Sequence, residues 1–267
     1  MSAWTWSLDS GSATVEAGQA NAPSRWLYLT EPARGALQLN TIPLALPWLL
    51  RAPRGDRHGV LVLPGLLATD TSTQPLRGFL RGLGYRVKGW RLGRNLGPTQ
   101  AVIDGMRRAV RELASSTGAP VSVVGWSLGG IYARELARES PSLVRRVVTL
   151  GSPFALTDSD HGPAHRAYKR RAYLHSLGIP SRVQAAAPIP VPSTAVFSRM
   201  DGIVSWRSCI EPESTLHENI EVRCAHLGFG VDPATLWVVA DRLAQPEGSH
   251  RPFGPPAWLR WIYPSGR

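Results

Sequence analysis

Val123-Val124-Gly125-Trp126-Ser127-Leu128-Gly129-Gly130 is the stretch that decides the fold of this chain. Val121 to Val124 is a β-branched run of the kind found in a strand buried on both faces. Leu128 to Glu139 reads as a helix, ended by Ser140 and Pro141. Between them stands Gly-x-Ser-x-Gly with no residue to spare, so strand and helix meet in one sharp turn at Ser127. Glycine is needed on either side of the serine because side chains there would clash. Such a turn strains the serine, lifts its hydroxyl clear of the backbone and places the helix N-terminus beneath it. In a chain with 26 glycines the bare pattern is weak. The strand before it and the helix after it give it force, and Ser127 reads as a nucleophile.

Working outward, the chain alternates strand and helix. Val60–Leu63 is an apolar strand, Leu76–Leu83 a short helix closed by Gly84, and Tyr85–Trp90 a second strand. Thr99–Ser116 has helical periodicity through Val102, Met106, Val110 and Leu113, and Gly118 with Pro120 stops it. Val144–Leu150 is a strand, Val196 and Phe197 lie in another, and Ile220–Val222 in the last. Pro233–Leu243 is an amphipathic closing helix. Repeated β-α units of this kind predict an α/β fold, a mainly parallel sheet covered by helices on both faces. Phe154–Pro192 breaks the rhythm. An excursion of about forty residues without a clear strand is too long for an ordinary connection, and reads as a lid or small cap. The expected organisation is an N-terminal arm with one or two helices packing beside the sheet (1–58), a core (59–153 and 193–245), the cap (154–192) and a C-terminal tail (246–267).

A nucleophilic serine needs a base, and the base an orienting acid; on a sheet of this kind they follow in the order Ser, Asp, His. Asp201, in Ser198-Arg199-Met200-Asp201-Gly202-Ile203-Val204, stands in a loop after a strand, where the acid belongs. Asp-Gly is also a common turn pair. Asp158 and Asp160 fall in the cap, and Asp232 and Asp241 come after the best histidine. His226 follows the last strand and precedes the last helix, the place for the base. The other histidines are worse placed: His58 before the first strand, His161, His165 and His175 in the cap, His217 before the last strand, and His250 in the tail. An oxyanion needs two preorganised N–H donors. Leu128, directly after the serine, offers one. Leu66 offers the other, because Gly65 lets the loop after the first strand turn inward and Pro64 has no N–H to give.

Five segments, Val60–Ala68 (VLVLPGLLA), Gly125–Leu136 (GWSLGGIYAREL), Val147–Phe154 (VVTLGSPF), Ser198–Trp206 (SRMDGIVSW) and Ala225–Pro233 (AHLGFGVDP), carry a resemblance to the lipase and esterase branch of the α/β hydrolases. It runs from about Gly59 to Leu243 and implies hydrolysis of a carboxylic ester through an acyl-Ser127 intermediate, with no cofactor and no metal. Many such lipases have His-Gly in the first loop; here Pro64-Gly65 keeps the amide but lacks the imidazole. Trp90–Pro98 (WRLGRNLGP) also resembles a loop beside the active site of related bacterial hydrolases; Asn95 reads as a turn cap. The same triad serves thioesterases and acyltransferases. A non-catalytic binding member of the fold is the other alternative, although it would be expected to lack part of the triad. Trp126, Leu66, Leu67, Phe154 and the cap prolines suggest an apolar acyl pocket, with buried packing the equal alternative.

Composition bounds the rest. The net charge of +11 is almost all arginine; Lys88 and Lys169 are the only lysines. The arginines are spread along the chain, a skew that GC-rich coding produces, so no specific nucleic-acid partner is expected. The expected partner is a small-molecule or lipid ester, with peripheral contact to a membrane left open. No apolar run reaches the roughly 18 residues of a membrane span, and Met1–Asp9 lacks the pattern of a secretory leader, so a cytoplasmic protein is expected. Cys209 and Cys224 cannot make a disulfide framework or a zinc site by themselves. Free thiols are expected, with one bridge between them the alternative.

Overall fold

The structure is a computed structural model in which residues 22–155 and 186–264 are described. Most of the expected cap, with His161, His165, His175, Asp158 and Asp160, and residues 1–21 of the N-terminal segment lie outside them.

The strands are β1 (Gly59–Leu63), β2 (Arg86–Lys88), β3 (Val121–Trp126), β4 (Val144–Leu150), β5 (Ser193–Phe197) and β6 (His217–Glu221). They form one parallel sheet in the order β2-β1-β3-β4-β5-β6. The helices are α1 (Arg25–Leu39), α2 (Ile42–Leu49), α3 (Gln74–Gly82), α4 (Gln100–Thr117), α5 (Leu128–Glu139) and α6 (Pro233–Leu243). Alternate residues of each strand point to opposite faces. Val60, Val62, Val124, Val148 and Val196 join the core formed with α2, α3 and α6. Leu61, Leu63, Val121, Val123 and Val147 join the core formed with α4 and α5. Burial of both faces is the reason these strands read as unbroken apolar runs, each such side chain contributing about 1.5–3 kcal/mol.

The local signals operate as the residues suggest. Thr99 accepts from the Val102 N–H and caps α4, and Gly118, at φ +67°, ends it. The buried stripe of α4 runs through Ile103, not the expected Val102, then Met106, Val110 and Leu113. β6 begins at His217 and ends at Glu221, earlier than Ile220–Val222, because its pairing to β5 starts at Ser193 opposite His217. The tail is not loose: Leu259 is buried in the α6 core and the Tyr263 hydroxyl donates to the Ala234 carbonyl at 3.0 Å.

The N-terminal segment forms two helices, and only α2 packs where expected. α1 leaves Trp26, Leu29 and Leu37 exposed and buries Glu31 and Gly35. With no continuous apolar stripe it has nothing to offer a sheet face. It lies instead on the turn after β6, where an added Cβ on Gly35 would come within 3.0 Å of the Leu227 Cβ. Among the described residues no helix is long and apolar enough to cross a membrane.

β1 and β3 are neighbours, but the chain leaves β1 towards β2 and leaves β3 towards β4. The loops beyond their carboxyl ends therefore diverge, and the crevice between them is where a sheet of this type binds ligands. Leu66 and Ser127 stand at its two sides.

Candidate active site

Ser127 has φ +53° and ψ −122°, a conformation an L-residue adopts only under constraint. The constraint comes from both arms of the turn. Its N–H donates to the Leu150 carbonyl of β4 at 2.8 Å, and its carbonyl accepts from Gly130 at 2.9 Å. A Cβ on Gly129 would overlap the Leu63 carbonyl, and one on Gly125 the backbone of Gly129 and Gly130. The predicted requirement for glycine at both positions is thus a backbone-to-backbone approach. Ser127 itself stays partly exposed at the head of α5.

The structure brings Asp201 and His226 together. Asp201 is buried in the loop after β5; its Oδ1 accepts from the Ile203 and Val204 N–H groups at 2.8 and 2.7 Å. Its Oδ2 faces His226 Nδ1 at 2.6 Å. The Asp-Gly turn and the contact to His226 are therefore both present, one on each oxygen. A carboxylate only accepts, so Nδ1 carries the proton and Nε2 is left as the basic nitrogen. The His226 carbonyl accepts from Trp126 Nε1 at 3.1 Å, and Phe229 stands edge-on to its ring. Burial by itself would lower the His226 pKa; the charge and hydrogen bond of Asp201, with the charge of Glu31, outweigh it and raise it above 6.5.

The loop after β1 lies against Ser127: a Cβ on Gly65 would be 3.1 Å from the Ser127 Cβ. Asn95 holds it there. This buried residue donates from Nδ2 to the Pro64 carbonyl at 2.9 Å, while its Oδ1 accepts from Gly97 N–H at 3.2 Å and from the Tyr132 hydroxyl at 3.3 Å. Its backbone accepts from Leu67 and donates to Ala68 at 2.7 and 2.9 Å. Asn95 caps its turn as expected and also fixes the loop, a role that spacing alone did not reveal. Among the described residues the N–H groups of Leu66 and Leu128 donate to no protein acceptor.

Ser127 and His226 open into one cavity of about 280 Å³, walled by Tyr28, Leu66, Leu67, Trp126, Ile203 and Leu227. Phe154, expected in this wall, is not in it; it is buried in the α5 core under the Arg134 guanidinium, 4.1 Å from its ring centre. Leu227 lines the cavity as the neighbour of His226, and Tyr28 reaches it only because α1 docks on the turn after β6, which local sequence does not reveal. Cys209 and Cys224 are buried free thiols.

Another serine, histidine and aspartate meet at the other end of the sheet. His58 Nε2 is 2.8 Å from Ser122 Oγ, and its Nδ1 contacts Asp56. Ser122 is wholly buried on β3, and Tyr85 stands edge-on to His58. Chemistry of residue type is the same in both sets, but Ser122 is wholly buried whereas Ser127 lines a cavity. The Asp56–His58–Ser122 contacts tie the lead-in segment to the sheet.

The fold that these elements define is that of the α/β hydrolases. No protein-family profile and no curated protein sequence matches the chain. Among solved structures it is similar to Aspergillus fumigatus lipase B, with a TM-score of 0.56 and 17% identity over 72% of this chain and 53% of that one. The chain thus spans about half the length of that lipase. It is similar to the mature Bacillus licheniformis lipase BlEst2 (TM-score 0.53, 13% identity, 73% and 94% of the two chains). It is also similar to a lipolytic enzyme derived from a metagenome (0.51, 16%, 72% and 93%).

Proposed function

We propose that this protein is a serine hydrolase that cleaves carboxylic esters. The observation that carries the reading is a strained, partly exposed Ser127 opening into the same cavity as a histidine whose far nitrogen is held by a buried carboxylate. In this reading His226 Nε2 takes the Ser127 proton as Oγ attacks the acyl carbon, and returns it to the departing alcohol. Asp201 keeps the proton on Nδ1 and stabilises the imidazolium. The N–H groups of Leu66 and Leu128 receive the oxyanion, and loss of one such donor costs about 3 kcal/mol of transition-state stabilisation. Water then hydrolyses the acyl-Ser127 ester by the same groups in reverse. The largely apolar wall of the cavity suits an acyl chain.

The test is fluorophosphonate labelling together with hydrolysis of a p-nitrophenyl ester series of increasing acyl length. Label on Ser127, and loss of labelling and turnover in Ser127→Ala, are expected. Ser122→Ala separates the two serine sets and retains labelling. A folded protein whose Ser127 takes no label, or a Ser127→Ala variant that still turns over ester, refutes the proposal.

A further inference from the structure

Asp201 and His226 stand on two different loops, and the bond between them survives only if those loops keep their spacing. Helix α1, from outside the sheet, touches both. Glu31, 1% exposed, accepts the Gly202 N–H on Oε2 at 3.0 Å and the Leu227 N–H on Oε1 at 2.9 Å. Gly202 is the residue after the acid and Leu227 the residue after the base. One turn on, Arg34 pairs with Glu31 Oε2 at 2.7 Å and donates to the Met200 carbonyl, just before the acid, at 2.7 Å. Gln38 accepts the Ala225 N–H, just before the base, at 3.0 Å. Contact is too close for padding: a Cβ on Gly202 would overlap the Leu27 carbonyl, and one on Gly228 the Gln38 side chain.

We propose that Glu31 is a positioning residue, a single carboxylate that clamps the acid loop to the base loop and so sets the Asp201–His226 geometry. The inference rests on the hydrolase reading above. A carboxylate suits the place because both its oxygens accept, and both loops offer it N–H donors. An amide has one oxygen, so Gln at 31 would satisfy one loop and turn an NH2 group towards the other. The charges facing His226 are Asp201 from its own contact and Glu31 from α1, with Arg34 beside Glu31. Removal of the Glu31 charge therefore disfavours the imidazolium and moves the acid limb of the rate profile to lower pH.

The experiment compares Glu31→Gln with the parent full-length protein by kcat and KM for a p-nitrophenyl ester, by the fluorophosphonate labelling rate of the folded fraction, and by kcat/KM against pH. Displacement of a catalytic group on the ångström scale costs up to about 100-fold, so kcat and the labelling rate are expected to fall about 10- to 100-fold. KM changes little, and the acid limb shifts downward. A role confined to stability would lower the urea midpoint but leave the labelling rate and the acid limb of the folded fraction in place, and that result overturns the proposal. Should Glu31→Gln not fold, Glu31→Asp keeps the charge but is one methylene too short to reach both N–H groups at once; it is expected to slow labelling about 3- to 10-fold, and an unchanged rate overturns the proposal equally. Parent protein that takes no label at all would refute the hydrolase reading instead.

Discussion

Replacement of Asn95 by alanine tests how the loop after β1 is held. The side chain is 0% exposed and serves three partners: the Pro64 carbonyl at 2.9 Å, the Gly97 N–H at 3.2 Å and the Tyr132 hydroxyl at 3.3 Å. Truncation removes that partner from the Pro64 carbonyl and the Gly97 N–H, and each buried unsatisfied polar group costs about 1–3 kcal/mol. The longer Gly97 contact belongs at the low end of that range, which puts the expected loss at about 2–4 kcal/mol for Asn95→Ala. Activity should suffer separately. Pro64 lies two residues before Leu66, and a fully misplaced Leu66 donor forfeits about 3 kcal/mol, or roughly 100-fold in kcat. Because the Leu67 and Ala68 backbone bonds to residue 95 survive the substitution, a partial loss of about 10- to 50-fold is expected. Urea unfolding measures the first effect and ester kcat at a urea-free pH optimum the second. A variant within 1 kcal/mol of the parent, or one that is folded and loses less than about twofold in kcat, would refute the reasoning.

Asp201→Asn keeps the shape of the acid but offers an amide to Nδ1; kcat is expected to drop by roughly three to four orders of magnitude with little change in KM, and a loss under tenfold in steady-state assays counts against an orienting role. Because Asp201 and Glu31 raise the His226 pKa above 6.5 despite burial, the acid limb of kcat/KM should have its midpoint above pH 6.5, and a midpoint below it contradicts the assignment. The linked stability runs the other way: a raised folded pKa favours the protonated form, so His226 contributes most below its unfolded pKa and less as pH rises through the folded value. Urea midpoints of the parent minus those of His226→Ala should therefore shrink as pH rises over the window in which activity appears. The Arg134–Glu211 pair, both side chains 1% exposed and 2.5 Å apart, with Ser193 also donating to Glu211 at 2.7 Å, lies far from solvent. Glu211→Ala is expected to cost about 3–5 kcal/mol in urea unfolding, and a loss below 1 kcal/mol would show that Arg134 is satisfied without it.

What the sequence determined by itself is what local chemistry and periodicity carry. β-branched runs buried on both faces, helix stops such as Gly118 and Ser140, and the Gly-x-Ser-x-Gly turn are short-range facts, so the parallel sheet, the bounds of α5 and β4 and the strained Ser127 were all legible. The order of Ser127, Asp201 and His226 was legible too, because the loops that carry them follow strands that the apolar pattern marks. Tertiary structure decided the rest. Residue type cannot distinguish Ser127, which shares a cavity with His226, from Ser122, which lies 2.8 Å from His58; packing buries one and opens the other to a cavity. Nothing local in Trp26–Leu50 says which surface α1 will cover. Its polar buried residues find their meaning only against the N–H groups of Gly202 and Leu227, some 170 and 200 residues further along the chain. Asn95 reads as an ordinary turn former until the Pro64 carbonyl is seen against its amide. The physical reason is common to all three. A hydrogen bond between distant segments leaves no periodic trace in either, so only the folded chain reveals which buried polar group answers which.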